Sequence, residues 1–245
     1  MKVMDCRLDF LAVMAVAALL MVPAAQAQST SSSSSTSSSS AQHSRKATAA
    51  ADARLDAGSV GNGVYRNPGF GFSCKIPAAW VLRTEEMNAR EDEEAAPATG
   101  RAALDRTAEG GCPHSCGRVL LATFSRPPEA KGEDVNSSIL IAAESVAAYP
   151  GLKEAAQYFG PVTEIAEQQG FDVINEPYEF VIGTKTVVRS DFQKDVGSRI
   201  MLQSTLVVLA RGYAVSLTFI GGTEDEVEEL VQGLSFAAGA KAAAR

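Results

Sequence analysis

An α+β fold, built on a mainly antiparallel sheet with helices packed against it, is predicted by three observations in the second half of the chain. Tyr213, Val215, Leu217 and Phe219 alternate with Ala214, Ser216 and Thr218, the period of two expected of a strand buried on one face. Thr223 and Glu226 then have the spacing of a capping box, and Val227, Leu230, Val231 and Leu234 recur at helical spacing, so this strand hands over to an amphipathic helix that folds back on it. Upstream, three long apolar segments at 171–182, 186–194 and 200–210 are separated by short turn sequences, Gly183-Thr184 among them, and Arg211-Gly212 follows the third. Tight hairpins make neighbouring strands antiparallel. Pro177, inside the first of these segments, lacks an N–H and forces a bulge or an edge position.

The first half supplies the remaining elements. Phe70, Phe72, Cys74 and Ile76 alternate onto one face, Pro77 ends the run, and Trp80, Val81 and Leu82 begin another apolar segment. An opening strand and a bend are expected there. Residues 84–117 are polar and contain Glu85, Glu86, Glu91, Asp92, Glu93 and Glu94. The spacing matches no calcium-binding EF-hand loop, so the segment reads as a solvated acidic insertion with no part in the core. Strands are expected at 118–125 and 138–146. Leu152, Ala155, Ala156 and Phe159 start a helical pattern, Gly160-Pro161 interrupts it, and Val162, Ile165 and Ala166 resume it up to Gly170, so a two-piece helix is expected. Strands, helix, several strands and helix in that order describe an α+β sandwich, not an alternating parallel fold.

The N-terminus reads as an export signal. Lys2 and Arg7 precede an apolar run from Leu8 to Val22, and Ala25-Gln26-Ala27 provides the small residues of a cleavage site. Residues 1–27 are therefore expected to be removed between Ala27 and Gln28. An uncleaved anchor is the alternative, but a run of roughly 15 residues falls short of the ~20 that span a bilayer. Residues 28–59 are Ser- and Ala-rich, with too little apolar surface to offset the entropy of ordering, and read as a disordered leader. One α+β domain at 60–237 and a disordered tail at 238–245 complete the expected organisation. The expected location is periplasmic or extracellular.

Charge narrows the partners. The 245-residue chain carries a formal net charge of -7. Removing the signal takes away Lys2, Arg7, Asp5 and Asp9 together, so that charge persists in the mature protein. Nucleic acid and anionic membranes are bound chiefly through Lys and Arg, so neither is expected as a partner, nor is membrane insertion after signal cleavage.

One short segment has the residue types of a reactive centre: Gly111-Cys112-Pro113-His114-Ser115-Cys116-Gly117. In an exported protein the favoured reading is a Cys112–Cys116 disulfide closing a tight loop, worth roughly 2 kcal/mol by chain entropy. Cys112, His114 and Cys116 are also soft ligands for zinc or copper, and the two thiols beside a histidine resemble a redox pair one residue too widely spaced. Cys74, on the apolar face, is expected to remain a protected thiol.

Other catalytic parts are missing. The second histidine, His43, lies in the leader, and the chain has no Gly-x-Ser-x-Gly, no phosphate-binding glycine loop and no His-Glu-x-x-His. The carboxylate pairs Glu228/Glu229 and Glu176/Glu179 are expected to face solvent. No enzymatic activity and no cofactor are expected.

Two terminal blocks carry a family resemblance. Tyr65-Arg66-Asn67-Pro68-Gly69-Phe70-Gly71-Phe72 with Pro77 and Trp80, and Arg211-Gly212-Tyr213 through Phe219 with the Glu-rich helix and Phe236, resemble the two ends of the PsbP-like domain. The resemblance covers nearly all of 60–237 apart from the acidic insertion. That family includes an extrinsic photosystem II subunit, a Ran-binding nuclear protein and exported bacterial proteins of unassigned role. The resemblance implies a PsbP-like α/β/α sandwich that acts mostly by binding other proteins, and it brings no catalytic residue with it. The expected function is thus an exported non-catalytic binding or assembly module of the cell envelope or medium, its partner another envelope or secreted protein. The alternative is a thiol-redox or metal-binding protein using the 112–116 loop.

Overall fold

The computed structural model describes residues 55–95, 117–130, 132 and 134–237. Within them, the long strands form one seven-stranded antiparallel sheet. Its members are β4 (Val81–Leu82), β5 (Gly117–Phe124), β6 (Ser138–Ser145), β7 (Asp172–Ile182), β8 (Lys185–Val196), β9 (Arg199–Ala210) and β10 (Tyr213–Gly221), in the order β4-β5-β6-β10-β9-β8-β7. A separate four-stranded sheet runs β1 (Ser59–Gly61), β2 (Val64–Asn67), β3 (Phe72–Lys75), β11 (Leu234–Phe236). Three α-helices accompany them: α1 (Thr84–Ala95), α2 (Phe159–Gln168) and α3 (Glu224–Gln232). The architecture is the expected α+β sandwich, but the opening strand pairs with the last described strand, β11, outside the main sheet.

The hairpins form at the expected sequences. Arg211 and Gly212 have φ of 53° and 82°, the doubly left-handed turn that matches strand twist, and they join β9 to β10 in continuous register from Tyr213↔Ala210 to Gly221↔Leu202. Pro177 meets both of its expectations. β7 is the edge of the sheet, and the β7–β8 register shifts between Asn175 and Tyr178.

β10 departs from the expectation of one buried face. Val215, Leu217 and Phe219 enter the core shared with Tyr65, Phe72, Cys74 and α3, while Ala214 and Ile220 enter a second core with Tyr158, Phe159, Val162 and Ile165. A central strand covered on both sides needs apolar or small residues at every position. The small sheet and α3 cover one face of the large sheet, and α2 with the preceding 3-10 turn, Ala155–Tyr158, covers the other.

Three further expectations are corrected. The helical segment does come in two pieces, but Gly160-Pro161 is not the break: Pro161 sits in the first turn of α2, where its missing N–H would have no partner in any case. The capping box is also only half formed. Thr223 Oγ1 accepts from Glu226 N at 3.2 Å, but the Glu226 carboxylate reaches back one residue further, accepting from Gly222 N at 2.9 Å.

The start of the acidic insertion, residues 84–95, is helix α1 and not a solvated loop. Beyond the two residues of β4, β5 would present an open edge. α1 closes it with side chains: Thr84 Oγ1 accepts from Ala122 N at 2.9 Å, and the Asn88 amide accepts from Val119 N at 3.1 Å and donates to Val119 O at 3.0 Å. Met87 packs against the core. One asparagine therefore does the work of a paired strand residue, a device that hydrophobic periodicity does not reveal. Residues 96–116, the remainder of the insertion, lie outside the described residues.

The aromatic hairpin behind the family resemblance serves structure. Asn67, fully buried, donates to Asp56 O at 2.8 Å and to Tyr65 Oη at 3.1 Å, and its Oδ1 accepts from Phe70 N at 2.8 Å. The Asp56 carboxylate accepts from Gly58 N at 2.9 Å and Gly69 N at 2.8 Å. A Cβ on Gly69 would lie 2.6 Å from Asp56 Cβ, so only glycine lets this clasp close.

Candidate functional site: an ionic cluster behind an exposed sheet edge

The sequence-named site residues, Cys112, His114, Cys116, Ala27 and Gln28, lie outside the described residues. Cys74 is described and fully buried. Desolvation pushes its thiol up to about 12, so it remains an unreactive thiol at neutral pH. Glu176, Glu179 and Glu229 face solvent as expected. Glu228 does not: its carboxylate pairs with Arg189.

That pair belongs to a polar constellation that spans four elements. Arg189 and Asp191 are two apart on β8, and so share a face with Val187 toward the core that contains α3. Pairing brings Ser204 of β9 opposite Asp191, Asn175 of β7 opposite Asp191, and Tyr178 of β7 opposite Arg189. Asp191 is then saturated. One carboxylate oxygen accepts from Arg189 Nε at 2.7 Å and from Ser204 Oγ; the other accepts from Asn175 Nδ2 and Tyr178 Oη, both at 3.1 Å. Arg189 Nη2 donates to Ser204 Oγ at 2.9 Å and to Glu228 on α3. Its guanidinium carbon sits 5.0 Å from the centre of the Phe180 ring.

The electrostatics keep Arg189 charged and Tyr178 protonated. Burial works against a charged Arg189, but the hydrogen bonds it donates to Glu228 and Asp191 and their negative charges outweigh it and raise its pKa. Tyr178 is raised too, by desolvation first and then by the Asp191 charge, so its hydroxyl stays a donor. Ser204 is 1% exposed and hydrogen-bonded on both sides, in no position to meet a substrate. Chemically the cluster is a clamp. It ties α3 and β9 to β8, and holds β7 through the Asn175 and Tyr178 side chains.

What the clamp holds is an exposed edge. β7 runs for 11 residues and, among the described residues, has a strand neighbour on only one side. Ile174, Tyr178 and Val181 are 46%, 38% and 64% exposed on it, flanked by Glu176 and Glu179. The cluster escaped sequence reading because its members span residues 175–228 on four elements. One signal was present: charges at 189 and 191 inside an apolar strand, on the same face as Val187, require partners if buried.

Among the described residues no group of three or more His, Cys, Asp or Glu is placed to hold a metal ion, and no helix is long and apolar enough to cross a membrane. Fold and site together define the class: an antiparallel α+β sandwich with a clamped, partly apolar edge strand.

No protein-family model matches the chain, and no curated protein matches it. Among solved structures it is similar to a cyanobacterial PsbP from Synechocystis sp. PCC 6803, at 16% identity over 73% of this chain and 96% of that one, with a TM-score of 0.38. It is similar to the Ran-binding protein Mog1p of Saccharomyces cerevisiae, at 13% identity over 73% and 96% of the two chains, TM-score 0.36. It is also similar to LpqN of Mycobacterium tuberculosis, involved in cell envelope biogenesis, at 14% identity over 68% and 83%, TM-score 0.32. At these identities and scores the likenesses carry no argument about function.

Proposed function

We propose that this chain is an exported, non-catalytic binding or assembly module of the cell envelope or medium, related to the PsbP-like domains, and that it engages another envelope or secreted protein along the outer edge of β7. The observation that carries this reading is the state of that strand. Among the described residues its outer backbone groups have no strand partner, its apolar side chains at 174, 178 and 181 are exposed, and the Asp191 cluster holds it from behind. A pre-ordered edge costs a partner little conformational entropy on docking. The twofold bulge and Pro177 limit pairing to short stretches, which favours a side-chain-led interface over a long added strand. Residues 1–27 serve as the signal, and the Ser/Ala-rich leader that follows gives way to the domain before residue 60, because Leu55 packs against the core, Asp56 closes the clasp and β1 opens at Ser59.

The test is photo-crosslinking from position 181 in protein expressed with its own envelope fraction, with position 168 on α2 as the control face. A specific adduct from Val181 and none from Gln168 is expected. Equal labelling at both sites, or an adduct from neither, would remove the β7 edge as the contact surface.

A further inference from the structure

The second buried polar cluster lies on the opposite face of the large sheet. Glu144, near the end of β6, is 1% exposed. Its Oε2 accepts from Tyr149 Oη and from Tyr158 Oη, each at 2.5 Å, and its Oε1 is buried without a hydrogen-bond partner. The two phenol rings meet edge to face, 5.3 Å apart. Both belong to the segment that covers this side of the sheet: Tyr149 follows the 3-10 turn Val146–Ala148, and Tyr158 ends the turn that leads into α2.

Among the described residues, the strand partners of Glu144 hold no charge to balance a carboxylate. From β5 the register partner of Glu144 is Gly117, and from β10 it is Ala214, neither of which has a polar side chain. The covering segment contributes the two tyrosines. No described Lys, Arg or His forms an ion pair with Glu144. An ionised Glu144 would leave one charged oxygen buried and bare, whereas the neutral acid leaves only one neutral group unpaired, a far smaller penalty.

We propose that Glu144 is a neutral carboxylic acid in the folded protein and acts as a pH-sensitive latch, fastening the 146–158 segment to the sheet through both tyrosines and loosening it when the acid ionises. Burial raises the Glu144 pKa above its ordinary value of 4.5, opposed by the hydrogen bonds from Tyr149 and Tyr158. Tyr158 is itself raised well above its ordinary value, by desolvation first and then by the Glu144 charge, so it stays a donor. The sign follows. A carboxyl raised in the folded state contributes stability that is fully present below the unfolded value, 4.5, and is lost as pH climbs from there through the folded value. The latch is tight at low pH and weakens as pH rises through the folded value.

A carboxyl-carbon NMR titration of the full chain, with Glu144 assigned sequentially, reads the proton directly. The Glu144 carbon is expected to keep its acid-form shift after unperturbed glutamates have ionised. Urea unfolding of wild type and Glu144→Gln across the same range gives the consequence. Relative to the variant, the wild-type unfolding constant is expected to rise by up to about tenfold per pH unit above the unfolded value. Amides at 146–168, corrected for intrinsic rates, are expected to lose exchange protection before those of α3. A Glu144 midpoint at or below 4.5, or a stability difference flat in pH, overturns the proposal. If Glu144→Gln does not fold, Tyr158→Phe decides: losing a donor that favours the charged form is expected to move the Glu144 midpoint upward, and an unmoved or lowered midpoint counts against the latch.

Discussion

Arg189 shows how much one side chain can organise. It sits 6% exposed in an apolar layer, and its guanidinium joins β8, β9 and α3 through Asp191, Ser204 and Glu228. Removing one partner of such a buried pair strands the other charge, a loss of about 3–5 kcal/mol, whereas replacing both with apolar groups can be nearly neutral. Arg189→Ala is therefore expected to lower the urea midpoint strongly, with Asp191 left to three uncharged donors. Glu228→Gln should cost much less. Its side chain is 36% exposed, and solvent screens what it contributes. Equal losses from the two substitutions would mean that the Arg189–Glu228 contact, not the Arg189–Asp191 pair, holds the clamp.

At the scale of elements, the sheet's two edges are managed differently. β5 is covered by β4 and then by the side chains of α1, so that edge is closed. β7 is left open but guarded by Pro177, two register shifts and flanking glutamates, devices that discourage strand addition between copies. Replacing Glu176 and Pro177 together by Val restores an N–H donor and removes a charge on this strand. The double variant is expected to self-associate at concentrations where the wild type does not, measured by light scattering. Unchanged scattering would show that the bulged backbone alone protects the edge. Asn88 fits the same logic: its amide satisfies both backbone groups of Val119, each worth about 1–3 kcal/mol if left buried and unpaired.

For the whole molecule, processing and thiol chemistry are tied together by export. If the signal is cleaved after Ala27, intact mass gives a chain starting at Gln28 or its cyclised form, without Cys6. Three cysteines then remain. With Cys112 paired to Cys116 and Cys74 buried, its thiol held at about 12, thiol labelling is expected to find no reactive group in the native protein and one after denaturation. Retained Met1 or attached lipid contradicts the processing, and two or more native free thiols contradict the pairing.

The sequence by itself determined what local periodicity and turn chemistry can specify. The alternation at 213–219, the Arg211-Gly212 and Gly183-Thr184 turns, the demotion of the Pro177 segment to a bulged edge and the apolar stripe of α3 all depend on residues within a few positions of one another. Tertiary structure decided the rest. Whether β10 has one buried face or two depends on what packs over Ala214 and Ile220, and whether residues 84–95 are insertion or edge cover depends on Asn88 meeting Val119, 31 positions away. The same holds for both buried clusters. Even where charges inside an apolar strand, as at 189 and 191, call for partners, the sequence does not say which: those partners come from distant strands and helices, because pairing is a property of the assembled layers.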